Sequence, residues 1–245
     1  TNIEYVVNPD GTRGYGWNPL TGCANGPEVC ACWEQCWARA MAKRFGARWG
    51  EAPDFTPEVH EKRFVQPFPK KPSTIFLCSR GDLWGDWVDR IRLAEIVSRI
   101  REHPEHTFLT LTKCPHNYQR ITAWPSNVWV GASATDDLSV VAALDALRDV
   151  GAPHKWLSLE PMLGPVPSLL AAGLQAAGIT WVVIGALSPG RVTRREWVET
   201  VVAEADKVGV KVWVKWNTIN HSATVLADLR GRLRQALLPL ETKRA

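Results

Sequence analysis

Short runs of apolar residues recur along the chain and predict the strands of a parallel sheet. They are rich in Val, Ile, Phe, Trp and Leu and end in small or polar residues, as strands buried on both faces do. The runs occupy residues 73–78, 107–112, 127–132, 155–159, 180–185 and 211–215.

Segments with helical periodicity lie between these runs. Each places apolar residues three or four positions apart, which is one face of a helix. The two clearest faces are formed by Ile91, Ala94, Val97 and Ile100 and by Val140, Leu144 and Leu147. Thr193 with Glu196 three residues later has the spacing of a capping box and predicts the start of another helix. Further helices are predicted over residues 168–177, ending at Gly178, and over residues 223–238.

The alternation of strands and helices predicts an α/β fold. Its six or seven repeats favour a parallel (β/α) barrel, partial and with about six strands, over an open doubly wound sheet. The glycine patterns of dinucleotide-binding and phosphate-binding loops are absent from the sequence, which further weakens the open-sheet alternative. We therefore expect a single domain over residues 1–245, with a cysteine loop and first helix in residues 1–50 and a C-terminal helix and tail in residues 223–245.

Charge and hydropathy limit the partners that we expect. The formal net charge of +4 is compatible with a nucleic-acid partner without indicating one. Residues 162–189 carry no charge, but Gly and Pro interrupt them, so we expect no membrane span. The sequence opens without a basic and apolar leader, so we expect a cytoplasmic protein. A solvated helix face explains Arg39, Lys43, Arg44 and Arg48 better than contact with nucleic acid does.

Six cysteines provide the first candidate chemistry. Four lie within fourteen residues, at Cys23, Cys30, Cys32 and Cys36, and the others are Cys78 and Cys114. In a cytoplasmic chain such clustering favours metal binding or catalysis over disulfides. Three thiolates on one loop leave a metal position open, which suits a [4Fe–4S] cluster better than a closed zinc site. The alternative is a structural zinc ion held by all four clustered cysteines.

Polar residues follow the predicted strands and form a second candidate site. In a parallel barrel the loops at the carboxyl ends of the strands carry the functional groups. The residues at these ends are Ser79, Asp82, Thr112, Lys113, Ser133, Thr135, Glu160, Ser188, Lys215 and Asn217. Helix capping explains Ser133, Thr135 and Ser188 equally well. The charges of Lys113 and Glu160 favour a functional role, and the set suggests a polar, partly anionic ligand.

The cysteine loop resembles that of the radical S-adenosylmethionine (SAM) superfamily. More closely, the string Trp17-Asn-Pro-Leu-Thr-Gly-Cys23 followed by Cys36-Trp-Ala resembles a group of uncharacterised phage-associated proteins. The similarity continues in order through Ser79-Arg-Gly-Asp82, Leu111-Thr-Lys113, Asn127-Val-Trp-Val-Gly-Ala-Ser133, Ser158-Leu-Glu-Pro-Met-Leu-Gly-Pro165 and Val214-Lys-Trp216. The Ser-x-x-Asp and Thr-Lys strand ends are in turn similar to those of spore photoproduct lyase, a radical SAM enzyme of DNA repair.

This resemblance implies a set of cofactors and binding residues. Three cysteines would hold a [4Fe–4S] cluster, and SAM would chelate its fourth iron. An electron donor would then drive reductive cleavage of SAM to a 5′-deoxyadenosyl radical, which abstracts hydrogen from a substrate. By this resemblance Ser79 and Asp82 would contact the amino group or ribose of SAM. Lys113, with Thr112 beside it, would contact the SAM carboxylate. Ser133 would contact the ribose, and Glu160 would contact the substrate or support these groups.

The resemblance also gives a role to a cysteine outside the loop. A thiol at Cys114 could return a hydrogen atom to a product radical. A small buried apolar residue is the alternative, which we favour for Cys78.

The cysteine spacing departs from the usual pattern of the superfamily. Cys-x3-Cys-x2-Cys is common there, whereas six, one and three residues separate the cysteines of this loop. The matching strings beside Cys23 and Cys36 make these the first and last ligands. The middle ligand is Cys32, which keeps a short spacing to Cys36, or Cys30.

Two further departures concern the surroundings of the cofactor. Gln35 stands where an aromatic residue usually precedes the last cysteine, and Trp33 or Trp37 would take over its role near adenine. The strand after Thr180 ends in Gly185-Ala-Leu187, whereas the phage-associated group has Gly-Gly-Glu, so a carboxylate is missing there.

These observations lead to competing functional hypotheses. The first is a radical SAM enzyme, a lyase or modifying enzyme that acts on a nucleic acid or nucleotide. The second is a zinc-binding module that interacts with nucleic acid or protein without catalysis. The third is a barrel that keeps an iron–sulfur cluster only for structure.

Overall fold

Seven parallel strands form the central sheet of the computed structural model, which describes residues 1–187 and 193–219. They are β1 (Tyr15–Trp17), β4 (Thr74–Leu77), β5 (Thr107–Thr112), β6 (Val128–Ala134), β7 (His154–Leu159), β8 (Ile179–Ile184) and β9 (Lys211–Val214). They neighbour one another in this order. A separate antiparallel pair is formed by β2 (Leu20–Thr21) and β3 (Glu58–Val59).

Helices connect the strands and cover the convex face of the sheet. They are α1 (Trp37–Trp49), α2 (Glu61–Phe64), α3 (Arg90–Arg101), α4 (Asp137–Arg148), α5 (Leu170–Ala177), α6 (Arg195–Lys207) and α7 (Trp216–Ile219), with a 3₁₀ helix at Pro115–Arg120. The predicted α/β architecture is confirmed as a partial (β/α) barrel, because β1 and β9 are the ends of the sheet order. The central sheet has seven strands in the described residues rather than about six, since β1 was not predicted.

The helix predictions are confirmed in part. Val140, Leu144 and Leu147 are buried on α4, and Gly178 ends α5 in the left-handed conformation with φ 68°. On α3 the predicted face is wrong at two positions, because Ile91 and Ala94 are exposed. The larger residues Leu93 and Ile96 face the core instead, together with Val97 and Ile100.

The predicted capping box at Thr193 is also wrong. The N-cap of α6 is Arg194, which makes no side-chain capping bond. Thr193 is buried, and its hydroxyl donates to the carbonyl of Met162. A contact with the neighbouring loop therefore uses the hydroxyl that was expected to cap the helix. The predicted helix over residues 223–238 and the predicted site residue Ser188 lie outside the described residues.

Aromatic side chains fill the concave side of the sheet. Trp129, Trp156 and Trp181 pack there on adjacent strands. Tyr5 comes from the segment before β1, and its ring centroid lies 5.5 Å from that of Trp181 and 5.7 Å from that of Trp156. A Cβ on Gly131 would lie 2.3 Å from the Trp156 indole, so glycine is required at this position.

The described helices were also compared with the dimensions of a lipid bilayer. None within residues 1–187 and 193–219 combines the length and the apolar character needed to cross one.

Candidate functional site

The cysteine loop lies at the same edge of the sheet as the polar strand ends. It follows β1, whose Trp17 is the register partner of Leu77 in the parallel strand β4. Carboxyl ends of parallel strands share one edge of a sheet, so the loops after β1, β4 and β5 meet there. An isolated bridge between Gly22 and Gly81 joins the first two of these loops directly.

Asp82 connects the loops at this edge. Its Oδ1 accepts hydrogen bonds from the Thr112 hydroxyl (2.7 Å) and the Trp84 backbone N–H (3.1 Å). Its Oδ2 accepts from the Asn25 side-chain amide (3.2 Å) and the Lys113 backbone N–H (3.1 Å). The carboxylate is buried, and these four donors satisfy it within the chain. Asp82 therefore fixes the cysteine loop against the end of β5.

Asn25 extends this network to two cysteines. Its side-chain oxygen accepts a hydrogen bond from the Cys114 thiol (3.3 Å), and its backbone N–H donates to the Cys23 sulfur (3.4 Å). Burial is the main cause that raises the pKa of both thiols, each to about 12. Cys114 is buried and also donates its backbone N–H to Thr112. The geometry thus holds the thiol of Cys114 next to the cysteine loop.

Cys30 and Cys32 lie side by side, with sulfur atoms 3.4 Å apart. This contact lowers the pKa of Cys30, helped by the charge of Lys113 against the opposing effect of burial. Burial lowers the pKa of Lys113, but the negative charges of Cys32, Cys30 and Asp82 outweigh it and raise this pKa overall. Lys113 therefore provides positive charge to the part of the loop where anionic sulfur would form.

The spacing of the sulfur atoms bears on the metal that they could bind. A tetrahedral zinc ion, with Zn–S bonds of about 2.3 Å, needs thiolates roughly 3.8 Å apart from one another. No three cysteine sulfurs in residues 1–187 and 193–219 lie within 4.8 Å of one another. In a [4Fe–4S] cluster each thiolate has its own iron, so its ligands are more widely separated. The described residues therefore lack the three closely spaced sulfurs that a closed zinc site needs.

Ser79 and Thr112 use their hydroxyl groups within the chain. The Ser79 hydroxyl donates to the side-chain oxygen of Asn18 (3.2 Å), which also accepts the backbone N–H of Arg80 (3.2 Å). The Thr112 hydroxyl binds Asp82 as described above, and Thr112 is buried. Both side chains therefore position the loops in this structure.

Ser133 and Thr135 do not cap the following helix. Asp136 is the N-cap of α4 and forms a capping box with Ser139. Thr135 is buried, and its hydroxyl is 3.4 Å from Asp136. Ser133 is partly exposed beside its register partner Ser158, so its hydroxyl remains near the mouth of the barrel.

Glu160 forms an ion pair with Lys215 across the end of β8. Both side chains lie against Gly185, where an added Cβ would come 3.0 Å from the Glu160 side chain and 3.1 Å from that of Lys215. A carboxylate thus lies beside Gly185, the first residue of the segment that lacks the acid of the Gly-Gly-Glu pattern. The buried hydroxyl of Ser158, two residues before Glu160, has no hydrogen-bond partner among the described residues.

Other sequence-selected residues lie farther from this network. Cys78 is buried in the core behind the sheet and has φ 48°. Asn217 contacts the backbone of Ala186 at the end of β8, with its side-chain amide donating to the carbonyl at 2.7 Å.

Sequence reasoning missed the residues that connect the site. Asn18 lies in the string from Trp17 to Cys23 that was compared with other families, and Asn25 lies just after it in the cysteine loop. Their hydrogen bonds reach residues about sixty positions away. Proximity to Cys23 was the available signal. The strand β1 was missed because it has three residues and contains Gly16.

Comparisons with known proteins identify one matching family model and one similar fold. A family model described as Protein of unknown function (DUF5131) matches residues 1–235. A search of curated proteins finds no significant match. A solved mutant of spore photoproduct lyase has a TM-score of 0.52 and 13% identity, with 91% of this chain and 74% of that chain covered. A second mutant, with bound AdoMet and dinucleoside spore photoproduct, has a TM-score of 0.51 and 11% identity, with the same coverage. This similarity establishes a shared fold.

Proposed function

The chain belongs to the family described as Protein of unknown function (DUF5131), and we propose that it is a radical SAM enzyme acting on a nucleic acid or nucleotide. One observation carries the proposal: the cysteine loop follows a barrel strand and is joined to Asp82 and Cys114 by Asn25. Soft metal ligands, a cation and a buried thiol thereby meet at one edge of the sheet.

The cluster would be held by Cys23, Cys36 and either Cys32 or Cys30. The close contact between Cys30 and Cys32 argues against both binding separate irons. When bound by these residues and reduced by an external electron donor, a [4Fe–4S] cluster would supply the electron for cleavage of SAM to methionine and a 5′-deoxyadenosyl radical.

Residues around the loop would bind and orient SAM. Lys113 would attract the SAM carboxylate by its charge, while its backbone N–H remains bound to Asp82. Ser79 and Ser133 would contact polar groups of SAM at the mouth. Asp82 and Thr112, which are buried and satisfied by hydrogen bonds, would hold Lys113 and the cysteine loop in place. Glu160, paired with Lys215, would orient the substrate at the far side of the mouth.

Cys114 would return a hydrogen atom to the product. The thiol donates its hydrogen to Asn25, so the S–H group lies at the cysteine loop rather than in the core behind the sheet. Homolysis of this S–H bond would give the hydrogen to a carbon radical and leave a sulfur radical on Cys114.

Two points support a nucleic acid or nucleotide as the substrate. The solved lyase structure that shares this fold contains a dinucleoside together with AdoMet. The chain also carries a formal net charge of +4, which suits a phosphate-containing partner. A zinc-binding module without catalysis is the competing function, and the wide spacing of the sulfurs counts against it.

The test is an iron and sulfide assay under anaerobic conditions, with electron paramagnetic resonance of the reduced protein with and without SAM. We expect about four irons per chain and a cluster signal that changes when SAM is added. Cys23→Ser and Cys36→Ser should lose iron. Lys113→Ala should keep iron but weaken the response to SAM. Lys70→Ala, which removes an exposed cation before β4, serves as the matched control.

A separate measurement on serine variants of Cys30 and Cys32 shows which of the two is the middle ligand. We expect Cys32→Ser to lose iron and Cys30→Ser to retain it, and the reverse result would exchange their roles. One zinc ion per chain, or a cluster whose signal ignores SAM, would contradict the proposed function.

A further inference from the structure

Helix α1 is strongly basic. Its thirteen residues include Arg39, Lys43, Arg44 and Arg48 and no acid. The chain has 29 basic and 25 acidic residues, so these four cations equal its entire formal excess of +4. The sequence alone favoured a solvated face here, and this concentration of charge on one element is the first argument for a binding surface instead.

The cations of α1 are available to a partner. Lys43, Arg44 and Arg48 are exposed, and none of the four forms an ion pair with another described residue. Two exposed arginines on other helices differ in this respect, because Arg148 and Arg195 each bind a carboxylate. At the end of α1, the buried Glu51 binds both Arg63 and Arg80, which adds one further positive charge.

An exposed aromatic residue accompanies this charge. Trp37 is 57% exposed, although it is the first residue of α1 and directly follows Cys36. Arg44 and Arg48 come seven and eleven positions later, two and three helical turns on, so all three share one face. The guanidinium of Arg39 stacks 4.2 Å above the ring of Trp33 in the cysteine loop.

We infer that this face of α1 binds the phosphate backbone of a nucleic-acid strand and that Trp37 stacks on one of its bases. Cations with an interleaved aromatic side chain are the usual means of binding single strands. The remaining exposed positions between the cations include Ala40 and Ala47, so the face lacks the broad apolar stripe of a membrane-surface helix. The inference rests on the proposed function. It specifies the substrate as a nucleic-acid polymer that passes over the cysteine loop.

The experiment measures anisotropy of a fluorescein-labelled 20-mer DNA, single-stranded or duplex, with the full chain and without SAM or reductant. The variant is Lys43→Ala/Arg44→Ala/Arg48→Ala, and Arg39 is kept because it contacts the cysteine loop. The matched control is Lys70→Ala/Lys71→Ala/Lys211→Ala, which removes three exposed lysines at the opposite edge of the sheet.

The α1 variant should bind at least about tenfold more weakly at 100 mM salt, and its salt dependence should be less steep by about two to three in log–log slope. The control variant should bind like the unsubstituted chain. Trp37→Ala should weaken binding to the single strand, and Trp37→Phe should restore most of it.

Three results would overturn the inference: no binding to either DNA, equal losses in both triple variants, or binding to phosphatidylglycerol vesicles instead of DNA. Because the assay needs neither SAM nor turnover, its failure leaves the cluster experiment intact, and a failed cluster experiment leaves this one intact.

Discussion

The polar residues at the carboxyl ends of the strands fall into two groups, according to which of their atoms bind Asp82. Residues that bind it, such as Thr112 and Asn25, have their hydrogen-bonding groups occupied within the chain. Lys113 binds it only through the backbone N–H, which leaves the ammonium group to act on the cysteine loop or a ligand. The four hydrogen bonds to the buried carboxylate offset its desolvation cost, because they replace those that it would make with water. Its value to the site is therefore positional.

His106 provides a prediction about pH at the scale of a single residue. Its Nδ1 accepts the backbone N–H of Ser73 (3.1 Å), so the neutral ring carries its proton on Nε2. That nitrogen is buried and lies 3.5 Å from Glu105, whose carboxylate also contacts His103. Burial is the main cause that lowers the pKa of His106; Glu105 raises it and His103 lowers it further.

The folded state disfavours the protonated ring. The contribution of His106 to the free energy of unfolding is therefore fully present above the unfolded pKa of about 6.5. It is lost as the pH falls through the lower folded pKa. We expect the denaturant concentration at the unfolding midpoint to fall as the pH is lowered from 7.5 to 5.5. His106→Asn, whose amide oxygen can still accept from Ser73, should show a smaller fall. His60, whose pKa is also lowered mainly by burial, leaves some dependence in both proteins. An unchanged pH dependence in the variant would sink this account.

At the scale of elements, a buried ion cluster fixes α1 against the loops of the rim. Glu51 follows α1 and is only 3% exposed at its side chain, where Arg63 (2.8 Å) and Arg80 bind it. Arg63 also donates to the backbone carbonyls of Asn18 (2.9 Å) and Trp49 (3.0 Å). The cluster therefore fastens the helix to the segment that leads into the cysteine loop.

Glu51→Gln should lower the free energy of unfolding by about 2–3 kcal/mol, because it leaves two partly buried guanidinium groups without a charged partner. The matched control is Glu61→Gln, which removes the exposed partner of Arg92 and should cost less than about 1 kcal/mol. Chemical denaturation of both variants at one pH measures the difference. Equal losses would mean that burial does not set the strength of this cluster.

The elements predicted from sequence are those with a strong local signal. Strands β4 to β9 contain short runs rich in apolar residues, and Gly178 supplies the left-handed conformation that ends α5. Strand β1 has too few residues for a pattern and depends on pairing with β4. The capping box at Thr193 had the right spacing, but the contact with Met162 determined the outcome. Long-range contacts of this kind cannot be read from spacing along the chain.

The candidate site was predicted to a similar extent. Parallel topology was enough to bring Asp82, Lys113 and the cysteines to one edge, since strand ends meet there by construction. The partners of each side chain were not predictable. The pairing of Glu160 with Lys215, and that of Asn25 with Asp82, joins residues more than fifty positions apart.

At the scale of the whole molecule, the segment before β1 connects the loop after β9, at one end of the open sheet, with β4, which lies next to β1 at the other end. Glu4 accepts the backbone N–H of Trp216 after β9 (2.9 Å), and Asn8 accepts that of Thr74 in β4 (2.9 Å). Between these contacts, Tyr5 packs among Phe76, Trp156 and Trp181. The segment thus fills the gap that an incomplete barrel would leave on its concave side.

Tyr5→Ala should lower the free energy of unfolding by about 3–5 kcal/mol, because it removes a buried ring that contacts three others. Tyr5→Phe keeps the ring and should cost much less. Tyr15, which is 46% exposed, gives the matched control, and Tyr15→Ala should stay within about 0.5 kcal/mol. Equal effects of Tyr5→Ala and Tyr15→Ala in thermal or chemical unfolding would contradict a structural role for the segment.

The contact between Asn25 and Asp82 has a consequence for biosynthesis. The cysteines emerge from the ribosome well before residues 82 and 113, yet the bonds that arrange their loop require both. During translation the cysteine thiols are therefore present before the hydrogen bonds that arrange their loop can form. Maturation of the loop must follow docking of β4 and β5, so a chain interrupted before residue 113 would expose four disordered thiols to oxidation and to stray metals.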